Sequence, residues 1–445
     1  QEKLREFIGR HIAKGDKASL LHEIENGRVR PSKQLADAVA GMLADQPEFV
    51  LVDEQKVAYE TVLSLADEAA TGRKRVVIIE GGPGTGKSVV AVNLLAELTR
   101  RRKLARYVSK NAAPRTVYAE KLRGKRRRTE VNALFGGSGT FIETPQNAFD
   151  VLVVDEAHRL NEKSGLYGNR GEHQVKEIIQ AARCSAFFVD DAQRVTLSDV
   201  GHSGEIRRWA EVLGAEVTRL ELPSQFRCAG SDGYLAWLDS LLGIRETANE
   251  DFDHGAFEFE VLDSASELHE RIIALNRPTN RARVVAGYCW DWKSRRNPEA
   301  WDIEIPEQGY RRQWNLGSDG SLWIIAPESV EQVGCIHTCQ GLEVDYVGVI
   351  IGPDLVARDG RLVARPEARS NMDRSIRGWK KATKEGASSI GRVDQMIRNT
   401  YRTLMTRGMK GCLVTSTDEE TRNFLRQRLE QPRFSPKESP QDPES

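Results

Sequence analysis

Residues 81 to 88, Gly-Gly-Pro-Gly-Thr-Gly-Lys-Ser, decide how this chain folds. They follow the pattern of a glycine, four residues, then Gly86-Lys87-Ser88. Arg75 to Glu80 precedes them as a buried strand, and Val89 to Leu98 follows as a helix. That strand–loop–helix context is what a phosphate-binding loop requires. Gly81, Gly82, Gly84 and Gly86, with Thr85 between them, let backbone N–H groups turn toward phosphates, and the helix N-terminus adds its dipole. Lys87 is expected to reach the β and γ phosphates, and Ser88 to hold Mg²⁺. ATP and Mg²⁺ are therefore the expected ligands.

The composition bounds what surrounds this loop. With 445 residues, the chain has room for two to four domains. Its 65 basic and 65 acidic residues balance, so any nucleic-acid site must be a local patch. The six cysteines form no Cys-x-x-Cys pair, which suits a reduced, cytoplasmic protein without structural zinc. Apolar runs fall short of a membrane span, so no membrane partner is expected. Gln1 rather than Met opens the sequence, as in an excised or processed piece of a longer chain.

Outward from the loop, residues 1–50 read as a charged, helical N-terminal segment broken at Pro31-Ser32. Gln55 then leads into a helix, Lys56 to Ala70. A glutamine just upstream of a phosphate loop can read an adenine edge, although most glutamines are simply solvated. Ala105 to Ser109 reads as a second strand, running into Lys110-Asn111-Ala112-Ala113. Arg126, Arg127 and Arg128 end a basic run beside a glycine-rich loop. That run suits contact with a nucleic-acid backbone or an ordinary solvated surface. Val151 to Val154 is a buried parallel strand that delivers Asp155 and Glu156 at its carboxyl end. Asp155 would hold Mg²⁺ through water, and Glu156 would polarise the attacking water. Ala186 to Asp190 repeats the pattern and places Gln193 near the γ-phosphate.

The second half reads less sharply. Residues 229–280 look like a connecting region, and strands are expected at 284–287 and 322–326. Trp290, Trp292, Trp301 and Trp314 lie between those strands and suit either base stacking or a core. A polar loop from Gly334 to Tyr346 leads into a strand at 348–351. Residues 358–391 are polar and basic, as in a long insertion or mobile loop. Met396 to Arg407 is an arginine-loaded helix, Cys412 to Val414 a closing strand, and 431–445 a proline-bearing, disordered tail.

The order of these motifs resembles that of superfamily 1 helicases and, more narrowly, the bacterial Schlafen group 3-like DNA/RNA helicase family, over nearly all of residues 1–430. The resemblance implies an α/β fold of two tandem RecA-like parallel-sheet domains, at 51–228 and 281–430, behind a helical lead-in. It implies that Gln55 reads adenine and that Lys110-Asn111 tracks single-strand phosphates. Gln225-Phe226-Arg227 and Tyr401 to Arg407 would bring two arginines, Arg227 and Arg407, to the γ-phosphate. His337 and Gln340 would face nucleic acid, and Glu343 the ribose. The catalytic set is then Lys87, Glu156, Gln193, Arg227 and Arg407. Family members often carry an N-terminal restriction-endonuclease-like domain, which is expected to be absent from this chain. The implied activity is an ATP-driven motor on single-stranded DNA or RNA. Alternatives are a nucleic-acid-dependent ATPase switch that does not unwind, such as the motor part of a longer nuclease–helicase defence protein, and a binding module with a dead ATPase.

Overall fold

The computed structural model describes residues 51–430, apart from 52, 123–127, 166–168, 224–231, 246–256, 316–319, 340–343, 374 and 381–386. All of these fall in one compact unit, Pro31–Ser445. The helical lead-in and the tail expected at 1–50 and 431–445 lie outside the described residues, as do Arg126, Arg127, Arg227, Gln340 and Glu343.

Two parallel sheets carry the fold, as two RecA-like domains. In the first, β1 (Arg75–Gly81), β2 (Ala105–Val108), β3 (Phe135–Gly136), β4 (Phe149–Val154), β5 (Ala182–Val189) and β6 (Glu216–Leu222) run in the order β3-β2-β4-β5-β1-β6. Every pairing is parallel. The continuous runs Val76-Val77-Ile78-Ile79 and Val151-Leu152-Val153-Val154 are fully buried because helices cover both faces of a parallel sheet. Parallel strands share one carboxyl edge. The segments after β1, β2, β4 and β5 therefore converge there, where open α/β sheets bind ligands.

The second sheet has the order β11-β8-β12-β15-β7, built from β7 (Glu258–Val261), β8 (Ala282–Ala286), β11 (Val333–Gly334), β12 (Val344–Ile351) and β15 (Gly408–Ser416). A small antiparallel pair, β9 (Ile303–Ile305) and β10 (Tyr310–Arg312), lies between β8 and β11 in the chain. The stretch 229–280, which reads as a connection, supplies β7 and the helix Ala265–Asn276, whose Leu268 and Ile272 pack under Gly348 of β12. One apolar cluster joins the sheets, including Val77 and Ile79 of the first and Val349 and Val414 of the second.

Two expectations fail here. Residues 322–326 are not a strand: Gly320–Ile325 is a 3₁₀ helix. The edge of β8 that a strand would need is taken by β11. The Trp323 ring packs instead against Gly334, where a Cβ would lie 2.5 Å from it. Nor are 358–391 one loose insertion. A hairpin, β13 (Leu355–Arg358) and β14 (Arg361–Ala364), opens the stretch. Its polar residues then satisfy one another internally. Arg369 Nε donates to Asp354 Oδ2 at 2.8 Å and Nη1 to Asp373 Oδ2 at 2.7 Å, while the Tyr401 hydroxyl donates to the other Asp354 oxygen. Among the tryptophans, Trp314 is core, stacked on Tyr288 with ring centroids 5.2 Å apart, whereas Trp301 is exposed.

Cysteines 184, 289, 335, 339 and 412 are free thiols. Among the described residues no His/Cys/Asp/Glu group could hold a metal by itself, and no helix is long and apolar enough to cross a membrane.

Breaking a buried ion pair on one side leaves the other charge uncompensated, at a cost of about 3–5 kcal/mol. Arg369→Met is therefore expected to lower unfolding stability by about that much, because Asp354 and Asp373 are both buried. Urea unfolding followed by circular dichroism checks it. A loss under about 1 kcal/mol would mean that water reaches the cluster.

Candidate active site

The loop after β1 turns through two left-handed glycines, Gly84 and Gly86, both at φ 81°. Gln55, on the helix Asp53–Glu68, donates Nε2 to the Thr85 carbonyl at 3.0 Å. That contact leaves no room on the loop: a Cβ on Gly86 would sit 2.2 Å from Gln55 Nε2. Gln55 thus holds the loop's backbone directly.

Lys87 opens the helix Lys87–Arg100 and is 6% exposed. Its Nζ donates to the carbonyls of Gly81 at 2.8 Å and Gly82 at 2.7 Å, and lies 4.0 Å from Asp190 Oδ2. Ser88 Oγ donates to Asp155 Oδ2 at 2.7 Å, and the buried Tyr107 hydroxyl donates to the same oxygen at 2.6 Å. Burial and the adjacent Glu156 push the Asp155 carboxyl above its usual range.

Glu156 is left-handed, at φ 54° and ψ 42°. A non-glycine residue there carries about 1–3 kcal/mol of strain, of the kind that clusters at functional sites. Its Oε2 lies 3.1 Å from His158 Nε2. His158 Nδ1 accepts from the Asp190 backbone N–H at 3.2 Å, which puts the ring proton on Nε2, facing Glu156. Burial opposes charge on Glu156. His158, Arg407 and Lys87 outweigh it and hold the carboxyl well below its usual range. The ionised form of Glu156 is therefore the favoured one.

Gln193 joins the two sheets. It donates Nε2 to Asp190 Oδ2 at 2.7 Å, and its Oε1 accepts from Arg407 Nη2 at 2.9 Å. Arg407 precedes β15 in the second sheet and is 1% exposed, with Nε on the Thr403 carbonyl at 3.0 Å. The strap that follows Gln193 is clasped by the second domain at two more points. Asn399 Nδ2 donates to the Arg194 carbonyl at 2.9 Å, and the Leu197 N–H donates to the Ser375 carbonyl at 2.9 Å.

Of the sequence-based nucleic-acid residues, Lys110 and His337 lie within electrostatic reach of each other. Lys110 Nζ points inward, to Asn161 Oδ1 at 2.7 Å and Asp199 Oδ1 at 3.4 Å, and burial pushes its ammonium down to about 8. Asn111 is half-buried, with Nδ2 unpartnered. His337 is exposed on the short helix Ile336–Cys339, and Arg128 begins the helix Arg128–Leu134. Sequence reasoning missed Tyr107, Asp190 and Arg159. Arg159 is buried beside Asp199, Nε to Oδ2 at 3.4 Å. Asp190 could have been found, because it ends its strand as Asp155 does.

The model of the Schlafen group 3 DNA/RNA helicase domain matches residues 74–418. An uncharacterized protein of Saccharomyces cerevisiae (strain ATCC 204508 / S288c) is 23% identical over 301 residues. That match covers 62% of this chain and 64% of the yeast protein, so the chain spans less than two thirds of that relative's length. The Pif1 helicase from Candida albicans aligns at 14% identity over 52% of this chain and 55% of its own, with a TM-score of 0.29. S. cerevisiae Dbp5, solved bound to RNA and ADP BeF3, aligns at 12% identity over 83% and 86%, with a TM-score of 0.32.

Gly86→Ala is expected to weaken nucleotide binding by about tenfold or more, since a left-handed alanine costs roughly 1–2 kcal/mol before the clash with Gln55. Adding Gln55→Ala is expected to restore part of the loss. Titration with a fluorescent nucleotide reads both variants, and wild-type affinity in Gly86→Ala would place the nucleotide elsewhere.

Proposed function

The chain belongs to the Schlafen group 3 DNA/RNA helicase family, and we propose that it is a motor that hydrolyses ATP with Mg²⁺ in the cleft between its two RecA-like domains and translocates on single-stranded DNA or RNA. The observation that carries this reading is the bond from Arg407 to Gln193, because it brings a second-domain cation to the carboxyl edge of the first sheet.

The side chains present fit such a reaction. Gly82 leaves open space where a Cβ would stand, and Ser88 Oγ and Asp155 Oδ2 offer hard oxygen donors. Those two residues would hold Mg²⁺, which neutralises charge on the β and γ phosphoryl oxygens when bound. Lys87 would exchange its two loop carbonyls for those oxygens. Glu156, kept ionised by His158, Arg407 and Lys87, would align the water. Arg407 would stabilise charge spread over the transferring group, where a buried cation acts most strongly. Arg227 and Glu343 are proposed to complete the cleft at the γ-phosphate and the ribose, and Gln55 at the adenine. Lys110, Asn111, the run Arg126 to Arg128, His337 and Gln340 are proposed to line the strand's path.

Arg407→Ala is expected to leave nucleotide affinity within a few-fold of wild type, since Lys87 and the loop amides remain. Turnover is expected to fall by about 10³ or more, as for arginine fingers. Arg407→Lys is expected to rescue little, because an ammonium lacks the planar fork that serves Gln193 and Thr403 together. Lys87→Ala is expected to abolish hydrolysis. Steady-state ATPase with and without single-stranded DNA or RNA tests all three. Near-normal turnover in Arg407→Ala, or wild-type turnover indifferent to nucleic acid, would defeat the two-domain motor.

A further inference from the structure

A cavity of about 320 Å³ opens in the second domain, away from the phosphate loop, in the segment between β14 and the helix Ala387–Met405. Its size lies at the lower end of the range for small-ligand sites, about 300–1,000 Å³. Its walls include Glu367, Arg369, Asp373, Arg377, Trp379 and Lys380. The acidic members are already spent: Asp373 is paired to Arg369 at 2.7 Å, and Glu367 to Arg365 at 3.2 Å. Arg377 is exposed and has no ion pair or hydrogen bond among the described residues. The Lys380 ammonium lies 5.7 Å from the centre of the half-buried Trp379 ring. Arg369 is 6% exposed, with Nε and Nη1 engaged and Nη2 left without a partner. The cavity therefore offers an aromatic face in Trp379 and an uncompensated guanidinium in Arg377.

We propose that this cavity is a single-nucleotide subsite for the strand, with a base against Trp379 and its phosphate on Arg377. It rests on the motor reading and adds a contact that reading does not contain. Stacking on one aromatic ring accepts any base, which suits an enzyme that must move along a strand. The site is also tied to the cleft. Ser375, in the same segment, takes the Leu197 N–H of the strap that follows Gln193. Arg369 reaches Tyr401 of the arginine-bearing helix through Asp354. A strand seated here would thus load the contacts between domains directly.

The test is fluorescence anisotropy of labelled oligo-dT and oligo-U with the full chain, across a salt series. Trp379→Ala is expected to weaken binding about fivefold or more, and Trp379→Phe to keep most of it, since one stacked base is worth roughly 1–3 kcal/mol. Arg377→Ala is expected to lower the slope of log affinity against log salt by about 0.7, one phosphate on a single strand. ATPase without nucleic acid is expected to stay at the wild-type level in all three. Free mononucleotide competing as well as the oligomer would show a small-molecule pocket and overturn the assignment. So would wild-type affinity and salt slope in Trp379→Ala and Arg377→Ala. A wild-type chain that binds neither oligomer would overturn both this subsite and the motor reading, whereas failure confined to the variants removes the subsite alone.

Discussion

One side-chain amide ties the arginine of the second sheet to the carboxyl edge of the first. Gln193 has a donor end and an acceptor end, and the structure uses both: the donor on Asp190, the acceptor for Arg407. Asp190 in turn lies 4.0 Å from Lys87, and its backbone fixes the tautomer of His158 beside Glu156. The phosphate loop, Glu156 and the second-domain arginine are thus linked through Asp190 and Gln193, just after β5. The amide orientation follows from its partners, since a carboxylate accepts and a guanidinium donates. Charge-assisted bonds of this kind are roughly twice as strong as neutral ones, and burial sharpens them further.

The same arrangement explains how two adjacent carboxylates differ in character. Asp155 has the hydroxyls of Ser88 and Tyr107 for company, and its charge is disfavoured by burial and by Glu156. Glu156 has the His158 ring and the charges of Arg407 and Lys87 nearby, which favour its ionised form despite the same burial. Both follow the end of β4, Glu156 in a left-handed conformation, and these neighbours in sequence meet different partners.

What the sequence made legible was whatever is decided locally. The runs in β1 and β4 read as parallel strands because burial on both faces removes any alternation. The phosphate loop read as one because its glycines, lysine and serine sit between a strand and a helix. The 3₁₀ turn at Gly320–Ile325 was hidden, since whether an apolar run pairs depends on which edge is already taken. The stretch after β14 misled for another reason. Arg369, Asp354, Asp373 and Ser375 look like surface composition until they are seen to satisfy each other in the interior. Lys110 shows the same limit: a cation following a strand end gave no hint that Asp199, far along the chain, would draw it inward.

The strap from Gln193 to Asp199 is short, and both ends are committed. Its first residue is bonded to Arg407, its middle to Asn399 and Ser375, and its last to Lys110 and Arg159. Seven residues of chain cannot exceed roughly 25 Å even when fully drawn out, and this one is partly coiled. It therefore has little slack. A shift of the second domain by even a side-chain length must either tear the clasps or haul on Asp199, and with it the two cations behind β2 and β4. The segment works as a tie rod, so Gln193 and Lys110, at two points along the first sheet's carboxyl edge, are geared together by the length of a loop.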